Sequence, residues 1–377
     1  MPSYKNAYEV DEDKRKRVVA TMNTINHRER VIAVLNGEKP PIIPLHGECS
    51  MDVTVFRNMF PSTGDPVRDA IENARFFDNS AINVSIGLLE EDIRNDETQR
   101  IYRFETGAVW HENYKPTFCR ELLSFPVKTP EQAMNFRMPD VNLPARFDED
   151  KTRRMVDAFH QAGYFVQGCV MGAWMGIYYY LTSFENILTW MATEPEAARE
   201  LFRKTSHFSI ESAKRLLACG VDCIFPASDL GSGQSLLFSP AMFREYVFPW
   251  LKELADLCHE HKAYLHLHSH GHIQDIMDGI VEAGVDIINP IGPSDHNDLA
   301  LFKRRWGDKI TLHGGISTTI GLMSEDEIRR HVAEVIAIGR VGGRFFPRTE
   351  SGIPPMSLEK ALLYLKALKE ECSHGYC

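Results

Sequence analysis

The feature that most constrains the fold is a repeating alternation of short apolar segments and longer helical segments after residue 150. Apolar runs of about four to seven residues are separated by helical patterns of about ten to fifteen residues, with short connections between them. Strands joined through helices in this way are typical of parallel βαβ units. Eight such units close into a (β/α)₈ barrel, which is the fold we predict. The apolar segments are YFVQGCVMG, VDCIFPASD, AYLHLHSH, VDIINP, KITLHGG and GRFFP.

An open, doubly wound sheet is the main alternative to the barrel. Such sheets usually carry a glycine-rich phosphate loop after the first strand, and the sequence PLHGECS, in which the predicted first strand ends at His46, is not one. We therefore predict an α/β chain with a single TIM-type barrel domain over residues 25–377, after an N-terminal leader over residues 1–24. A helix is expected to begin after the N-cap Asn26. The stretch near 100–127 predicts a β-hairpin outside the repeat.

The composition excludes several classes of partner. The chain has 377 residues and a formal net charge of −10 without a basic stripe, which argues against a nucleic-acid partner. No run of eighteen apolar residues occurs, so no membrane span is expected. The eight cysteines form no CxxC pair and predict reduced thiols in the cytoplasm. Acidic barrels often dimerise, so a homodimer is compatible with the sequence.

The strongest local signal for chemistry is the histidine-rich run AYLHLHSHGHI at a predicted strand end. Alternate residues of a strand point to one face, so His266, His268 and His270 share a side of the strand. His268 and His270 stand at the open end, where two imidazoles can bind one zinc ion. The alternative is that these are core histidines satisfied by hydrogen bonds. Four histidines within seven residues favour the metal, and His266 is expected to be structural.

A catalytic zinc ion needs a third protein ligand besides two histidines. Such sites keep three protein ligands and one open position. Glu350 follows the last predicted strand and is expected near the barrel axis. Asp229, Glu48 and Cys49 also follow strands and compete for this role.

Other polar and aromatic residues at the predicted strand ends are candidates for substrate binding. His46, Cys49 and His313 stand where barrel enzymes place their chemistry, and the glycines after His313 allow a ligand to approach the backbone. Tyr178 belongs to the aromatic run WMGIYYYL, which suits a flat organic ligand and equally suits core packing.

Several of these segments, taken in order, resemble the uroporphyrinogen decarboxylase superfamily over about residues 25–368. The segments are NHRERVIAVLNGEKPPIIPL, GVDCIFPASDLG with LFSPAMFREYVFPWLKEL, HSHGHIQDIMDGIVEAGVDIINPIGP, and WGDKITLHGGIST. The resemblance implies one barrel with either of two chemistries. One is metal-free decarboxylation of the acetate arms of a porphyrinogen. The other is methyl transfer to or from the cobalt of a corrinoid carried by a partner protein.

The residues favour the methyltransferase branch of this superfamily. The decarboxylases have an arginine-rich segment after the first strand, whereas HGECSMDVTVF has no arginine before Arg57. The methyltransferases hold zinc with a His-x-Cys pair and a late cysteine. By this resemblance His268 takes the place of the zinc histidine and His270 that of the cysteine. The late cysteine falls near Ser351, with Glu350 beside it.

We therefore expect a methyltransferase that binds one zinc ion and uses a corrinoid, or cobalamin, supplied by a partner protein. A nitrogen and oxygen ligand set suits polarisation of an oxygen, which predicts removal of a methyl group from a methoxylated, aromatic substrate to Co(I). Glu48 or Asp229 would serve as the acid beside the leaving group. The alternatives are a thiol methyltransferase of the coenzyme M type, an atypical uroporphyrinogen decarboxylase, and a non-catalytic corrinoid-binding barrel.

Overall fold

Eleven strands form two separate sheets in the computed structural model, which describes residues 26–46, 62–114, 119–350 and 356–377. The predictions for the leader and for Glu48, Cys49 and Ser351 lie outside these residues. The strands are β1 Ala81–Ser85, β2 Glu90–Asn95, β3 Gln99–Phe104, β4 Val109–Asn113, β5 Cys119–Ser124, β6 Phe165–Met171, β7 Cys223–Ala227, β8 Tyr264–His268, β9 Ile287–Ile291, β10 Thr311–Ile316 and β11 Phe345–Thr349.

The larger sheet has seven parallel strands in the order β1-β6-β7-β8-β9-β10-β11. From β6 onwards each strand lies beside the next one along the chain, and helices connect them on the outside, as in a TIM-type barrel. The connection from β1 to its neighbour β6 contains the strands of the second sheet. The inner residues of β6, β8, β9 and β10 are almost all buried, so the strands enclose a packed core. The predicted α/β barrel is confirmed.

The two edges of this sheet approach one another at residues 43–46. Leu45 forms a parallel bridge with Asn79, just before β1, and the ring of His46 stacks on Phe346 of β11 with centroids 4.9 Å apart. The predicted first strand therefore makes only one β-bridge in the described residues, because Pro41 and Pro44 lack the backbone N–H groups that a strand would donate. Strand β1, with the sequence AINVS, was not predicted.

Twelve helices are assigned in the described residues, besides short helical turns. The first begins after Asn26, whose side chain accepts a hydrogen bond from the backbone of Glu29 as predicted. No helix in the described part of the chain is long and apolar enough to cross a membrane. The helices are α1 His27–Leu35, α2 Pro66–Phe77, α3 Pro130–Asn135, α4 Glu149–Gln161, α5 Ala173–Tyr180, α6 Phe184–Thr193, α7 Pro195–Ala218, α8 Phe248–Glu260, α9 Met277–Ala283, α10 Leu299–Trp306, α11 Glu325–Gly339 and α12 Leu358–Cys372. The short turns are Pro240–Met242, Phe243–Val247, Gln274–Ile276, Pro293–Asp295 and Thr318–Leu322.

The second sheet is antiparallel, with the strand order β2-β3-β4-β5. It confirms the predicted excursion from the repeat and extends it to four strands, starting at residue 90 rather than 100. Trp110 of β4 attaches this sheet to the barrel. Its indole stacks on Tyr179 of α5 with centroids 4.7 Å apart, and its Nε1 donates to the Tyr179 carbonyl oxygen at 2.9 Å. The sheet thus packs on the helix that follows β6 at the barrel mouth.

Candidate active site

Two histidines stand side by side at the carboxyl end of β8. His268 is the last residue of the strand, and His270 follows it after Ser269. The hydrogen bonding between β8 and β9 extends one residue beyond β8, because Ser269 donates its backbone N–H to the Asn289 carbonyl oxygen at 2.7 Å. The two imidazole rings lie 4.8 Å apart between centroids and are nearly perpendicular, at 85°. The prediction that they share one place at the barrel mouth is consistent with this arrangement.

Two carboxylates flank this pair of rings. Asp229, which follows β7, accepts the backbone N–H of His270 at 3.0 Å, and the same oxygen lies 3.6 Å from Nε2 of His268. Asp295, in the turn after β9, lies on the other side, with its Oδ2 3.2 Å from Nδ1 of His270. The mouth therefore combines two imidazoles with two acids.

The environments of the two imidazoles differ. Burial lowers the pKa of His268 to about 3, and the nearby charges of His270 and Arg348 act in the same direction. Burial also disfavours the charged form of His270, but the hydrogen bond with Asp295 and the charge of Asp229 raise its pKa above the ordinary value. His268 is thus neutral at pH 7, the form in which histidine binds metal ions. Its buried Nδ1 makes no hydrogen bond within the described part of the chain.

Glu350 is buried just after β11, at 1% exposure. Its Oε1 accepts the backbone N–H of Ser294 at 2.7 Å, and its Oε2 accepts that of Thr318 at 3.3 Å. Both oxygens are therefore engaged with the loops after β9 and β10. Among the described residues, no three histidine, cysteine, aspartate or glutamate side chains are arranged as a preformed metal site.

His46 and His313 lie below the mouth, in the core of the barrel, together with His266. Gln167 joins them. Its Oε1 lies 3.0 Å from Nε2 of His46 and 2.7 Å from Nδ1 of His266, while its Nε2 donates to Asn83. Nε2 of His266 then lies 3.3 Å from Nδ1 of His313. All three rings are at most 1% exposed, and burial lowers the pKa of each, that of His46 to about 4.

These contacts determine where the protons of the three neutral rings lie. The amide oxygen of Gln167 can only accept, so His46 donates from Nε2 and His266 from Nδ1. His266 then accepts at Nε2 from Nδ1–H of His313. The structure thus places His46 and His313 as members of a buried polar cluster, at a lower level than His268 and His270.

Tyr178 lies in α5, half-buried against Trp174 and Phe184. Burial raises the pKa of its phenol, and the negative charge of Asp229 raises it further. Tyr178 therefore keeps its proton near the acid that flanks His268. The structure brings Asp229, His268, His270 and Tyr178 into one region.

Two polar residues of this region were not predicted from the sequence. Asp295 follows a strand, as Asp229 does, and would have been found by considering every acid after a predicted strand. Gln167 lies within β6, where strand alternation gives no signal that distinguishes a polar core residue from an outward-facing one.

Comparison with known proteins supports the family resemblance. A family model described as uroporphyrinogen decarboxylase (URO-D) matches residues 124–370. Among solved structures, a methyltransferase from Methanosarcina mazei is similar with a TM-score of 0.67 and 16% identity, over 92% of this chain and 98% of that chain. At this identity the similarity shows the shared fold. No curated protein sequence matches the chain significantly.

Two further solved structures share only part of the architecture. A B12-independent methionine synthase from Shewanella sp. W3-18-1 has a TM-score of 0.42 and 15% identity, over 59% of this chain and 65% of that chain. A 3-keto-D-glucoside 4-epimerase from E. coli has a TM-score of 0.37 and 14% identity, over 59% and 84% of the two chains.

Proposed function

The chain belongs to the uroporphyrinogen decarboxylase family, and within it we propose a zinc-dependent methyltransferase that removes a methyl group from a methoxylated aromatic compound. The acceptor would be the Co(I) corrinoid of a partner protein. The observation that carries the proposal is the pair of adjacent imidazoles, His268 and His270, between two carboxylates at the barrel mouth.

The types of side chain at the mouth fit a zinc ion. His268 is neutral, and its buried Nδ1 lacks a hydrogen bond within the described residues. His270 carries Asp295 on its Nδ1, which is the usual second interaction of a zinc-binding histidine. Asp229 supplies an oxygen 3.6 Å from His268. We propose His268, His270 and Asp229 as ligands, reached after small movements of these side chains.

Asp229 is a better candidate for the third ligand than Glu350, because Glu350 already accepts two backbone N–H groups. When bound, zinc would supply a Lewis acid that polarises an ether oxygen. Glu48 and Cys49, outside the described residues, stay predictions.

The side chains around the mouth would bind the substrate and manage its proton. Half-buried Tyr178 of α5, packed beside the buried Trp174, would contact the ring of a methoxylated substrate, and burial keeps its phenol protonated by raising the pKa. In the reaction the methyl–oxygen bond breaks and a methyl–cobalt bond forms with the electron pair of Co(I). The oxygen keeps the electron pair of the old bond and takes a proton from water. We propose that Tyr178 donates a hydrogen bond to that oxygen.

The proposal is tested by supplying the zinc-loaded protein with Co(I) cobalamin and a methoxybenzoate. We expect methylcobalamin in the visible spectrum and an equal amount of the hydroxybenzoate by chromatography. His270→Ala should lower the rate about 100-fold or more, because Lewis-acid stabilisation contributes several kcal/mol. The control His207→Ala, on the exposed side of α7, should keep the wild-type rate.

Two further reactions separate the alternatives. Methyl transfer from methylcobalamin to a thiol, without ether cleavage, would identify a thiol methyltransferase instead. Decarboxylation of uroporphyrinogen by metal-free protein would contradict the proposal.

A further inference from the structure

We propose that Glu350 is a positioning residue whose buried carboxylate fixes two mouth loops and thereby holds Asp295 against His270. The loops are the β9 loop, Pro293–Asp295, and the β10 loop, Thr318–Leu322. This inference rests on the proposed function and deepens it, because it identifies a residue that supports the proposed zinc-binding pair, His268 and His270. It differs from the sequence-based prediction of Glu350 as a zinc ligand.

The carboxylate of Glu350 joins the two loops directly. One oxygen accepts the backbone N–H of Ser294 at 2.7 Å, and the other accepts that of Thr318 at 3.3 Å. The hydroxyl groups of Ser294 and Thr318 also lie 2.8 Å apart. Hydrogen bonds from backbone N–H groups to a carboxylate are charge-assisted and strong. With only 1% of its surface exposed, Glu350 is sheltered from competing water.

Gly292 provides the space for this carboxylate. A Cβ atom at this position would lie 2.5 Å from Oε1 and 2.6 Å from Cδ of Glu350. The backbone of Gly292 is extended, with φ −175°, so any residue can adopt its conformation. The absence of a side chain is therefore needed for the close approach of Glu350 and not for the turn itself.

The β9 loop transmits this fixed position to the zinc-binding pair. Asp295 lies one residue after Ser294 and contacts Nδ1 of His270 at 3.2 Å. Asn297, just beyond, donates to the Gly271 carbonyl oxygen at 3.0 Å and accepts the backbone N–H of Ile273 at 3.3 Å. With Nδ1 bound to Asp295, Nε2 of His270 is the nitrogen left for a ligand.

The tautomer of His270 in the metal-free protein is the most direct readout. We would label histidine nitrogens with ¹⁵N and identify the His270 signals by their loss in His270→Gln. At a pH high enough that the His270 ring is neutral, wild-type protein should show one tautomer with the proton on Nδ1. Asp295→Asn, Glu350→Gln and Gly292→Ala should each convert this to a mixture of tautomers. Glu327→Gln, which removes the same charge at the exposed start of α11, should leave it unchanged.

The zinc affinity gives a second readout. Glu350→Gln and Gly292→Ala should both weaken zinc binding about 10–100-fold, the usual effect of losing a residue that orients a ligand. The two variants control for misfolding of either one, because Gly292→Ala keeps the carboxylate and Glu350→Gln keeps the shape of the side chain. Circular dichroism and thermal unfolding would confirm that each variant is native.

The inference would be overturned if Glu350→Gln and Gly292→Ala left the His270 tautomer unchanged in metal-free protein. Loss of zinc with an unchanged tautomer would make Glu350 a ligand. If wild-type protein bound no zinc while the tautomer still responded to Glu350→Gln, the proposed function would fail and the positioning role would stand.

Discussion

At the scale of single residues, Gln167 organises the interior of the barrel below the mouth. Its amide oxygen accepts from two buried imidazoles, His46 and His266, and so fixes which nitrogen of each ring carries the proton. Nothing in the sequence signalled this role, because a glutamine in a strand predicts neither burial nor partners. His46, His268, His270 and His313 were recognisable as strand-end residues, but the sequence did not show that only two of them reach the mouth.

Replacement of Gln167 should therefore destabilise the fold. Gln167→Leu keeps the volume but leaves the N–H groups of His46 and His266 buried without an acceptor, at a cost of about 1–3 kcal/mol each. We expect the free energy of unfolding in urea to fall by about 2–5 kcal/mol. Gln161→Leu, on the exposed end of α4, should change it by less than about 0.5 kcal/mol.

The same burial makes stability depend on pH. The folded-state pKa of His46 is lowered to about 4, below the value of 6.5 for an exposed histidine. The unfolded chain therefore binds a proton that the folded chain rejects, so stability is fully present above about pH 6.5 and is lost as the pH falls towards 4. His46 alone should remove about 2 kcal/mol between pH 7 and pH 5.

The measurement is the free energy of unfolding of wild type and His46→Phe across this pH range. In the variant, the slope of the unfolding free energy against pH should be smaller by up to about 1.4 kcal/mol per pH unit. His374→Gln, at an exposed position near the last helix, should retain the wild-type slope. Equal slopes for wild type and His46→Phe would contradict the assignment.

At the scale of elements, two aspartates connect neighbouring strands in the same way. Asp222 accepts the backbone N–H of Val166 and lies 2.9 Å from Nε2 of His160. Asp286 accepts the backbone N–H of Leu265 and lies 2.9 Å from His259. In both cases the histidine lies six residues before the strand residue that donates its backbone N–H to the aspartate, and the aspartate ends a GVD sequence. The strand pairs β6-β7 and β8-β9 thus share the same arrangement of histidine, aspartate and backbone N–H.

The two aspartates differ in burial, so their replacement should differ in cost. The side chain of Asp222 is 5% exposed and also pairs with Arg28 at 2.7 Å, whereas that of Asp286 is 27% exposed. Removing one partner of a buried pair is strongly destabilising. We expect Asp222→Asn to cost about 2–4 kcal/mol and Asp286→Asn about 1 kcal/mol in urea unfolding. A larger loss in Asp286→Asn would contradict this ranking.

The elements themselves were largely predictable from the sequence. Periodicity revealed the parallel repeat from β6 onwards, because strands buried on both sides read as apolar runs. It failed at β1, a five-residue strand with no distinct boundary signal. It also underestimated the antiparallel sheet, since β2 is polar and exposed along its whole length and shows no hydrophobic alternation.

At the scale of the whole molecule, the antiparallel sheet is an addition to the barrel that is attached mainly through aromatic contacts with α5. Trp110 stacks on Tyr179 and donates a hydrogen bond to the backbone, Phe104 packs on Tyr180 with centroids 4.8 Å apart, and Glu105 pairs with the buried side chain of Arg146. Arg120 adds a contact to the Tyr179 hydroxyl at 3.4 Å. Because α5 also carries Tyr178, this attachment links the sheet to the part of the mouth that we propose binds the substrate.

Removal of Trp110 should loosen the sheet and spare the barrel. In Trp110→Ala we expect faster hydrogen–deuterium exchange in peptides covering β2 to β5, because the stacked contact and the Nε1 donor are both lost. Peptides covering β8 and β10 should keep their protection. Leu123→Ala, a substitution at an exposed residue of the same sheet, serves as the control. Unchanged exchange in the sheet, or faster exchange throughout, would refute this attachment.

Zinc-edge X-ray absorption of the purified, zinc-loaded protein tests the central claim most directly. We predict one ion per chain, bound only by nitrogen and oxygen at about 2.0–2.2 Å, with an imidazole signature that is lost in the His268→Ala, His270→Ala double variant. A sulfur shell at about 2.3 Å, or zinc that stays bound to the double variant, would contradict the account.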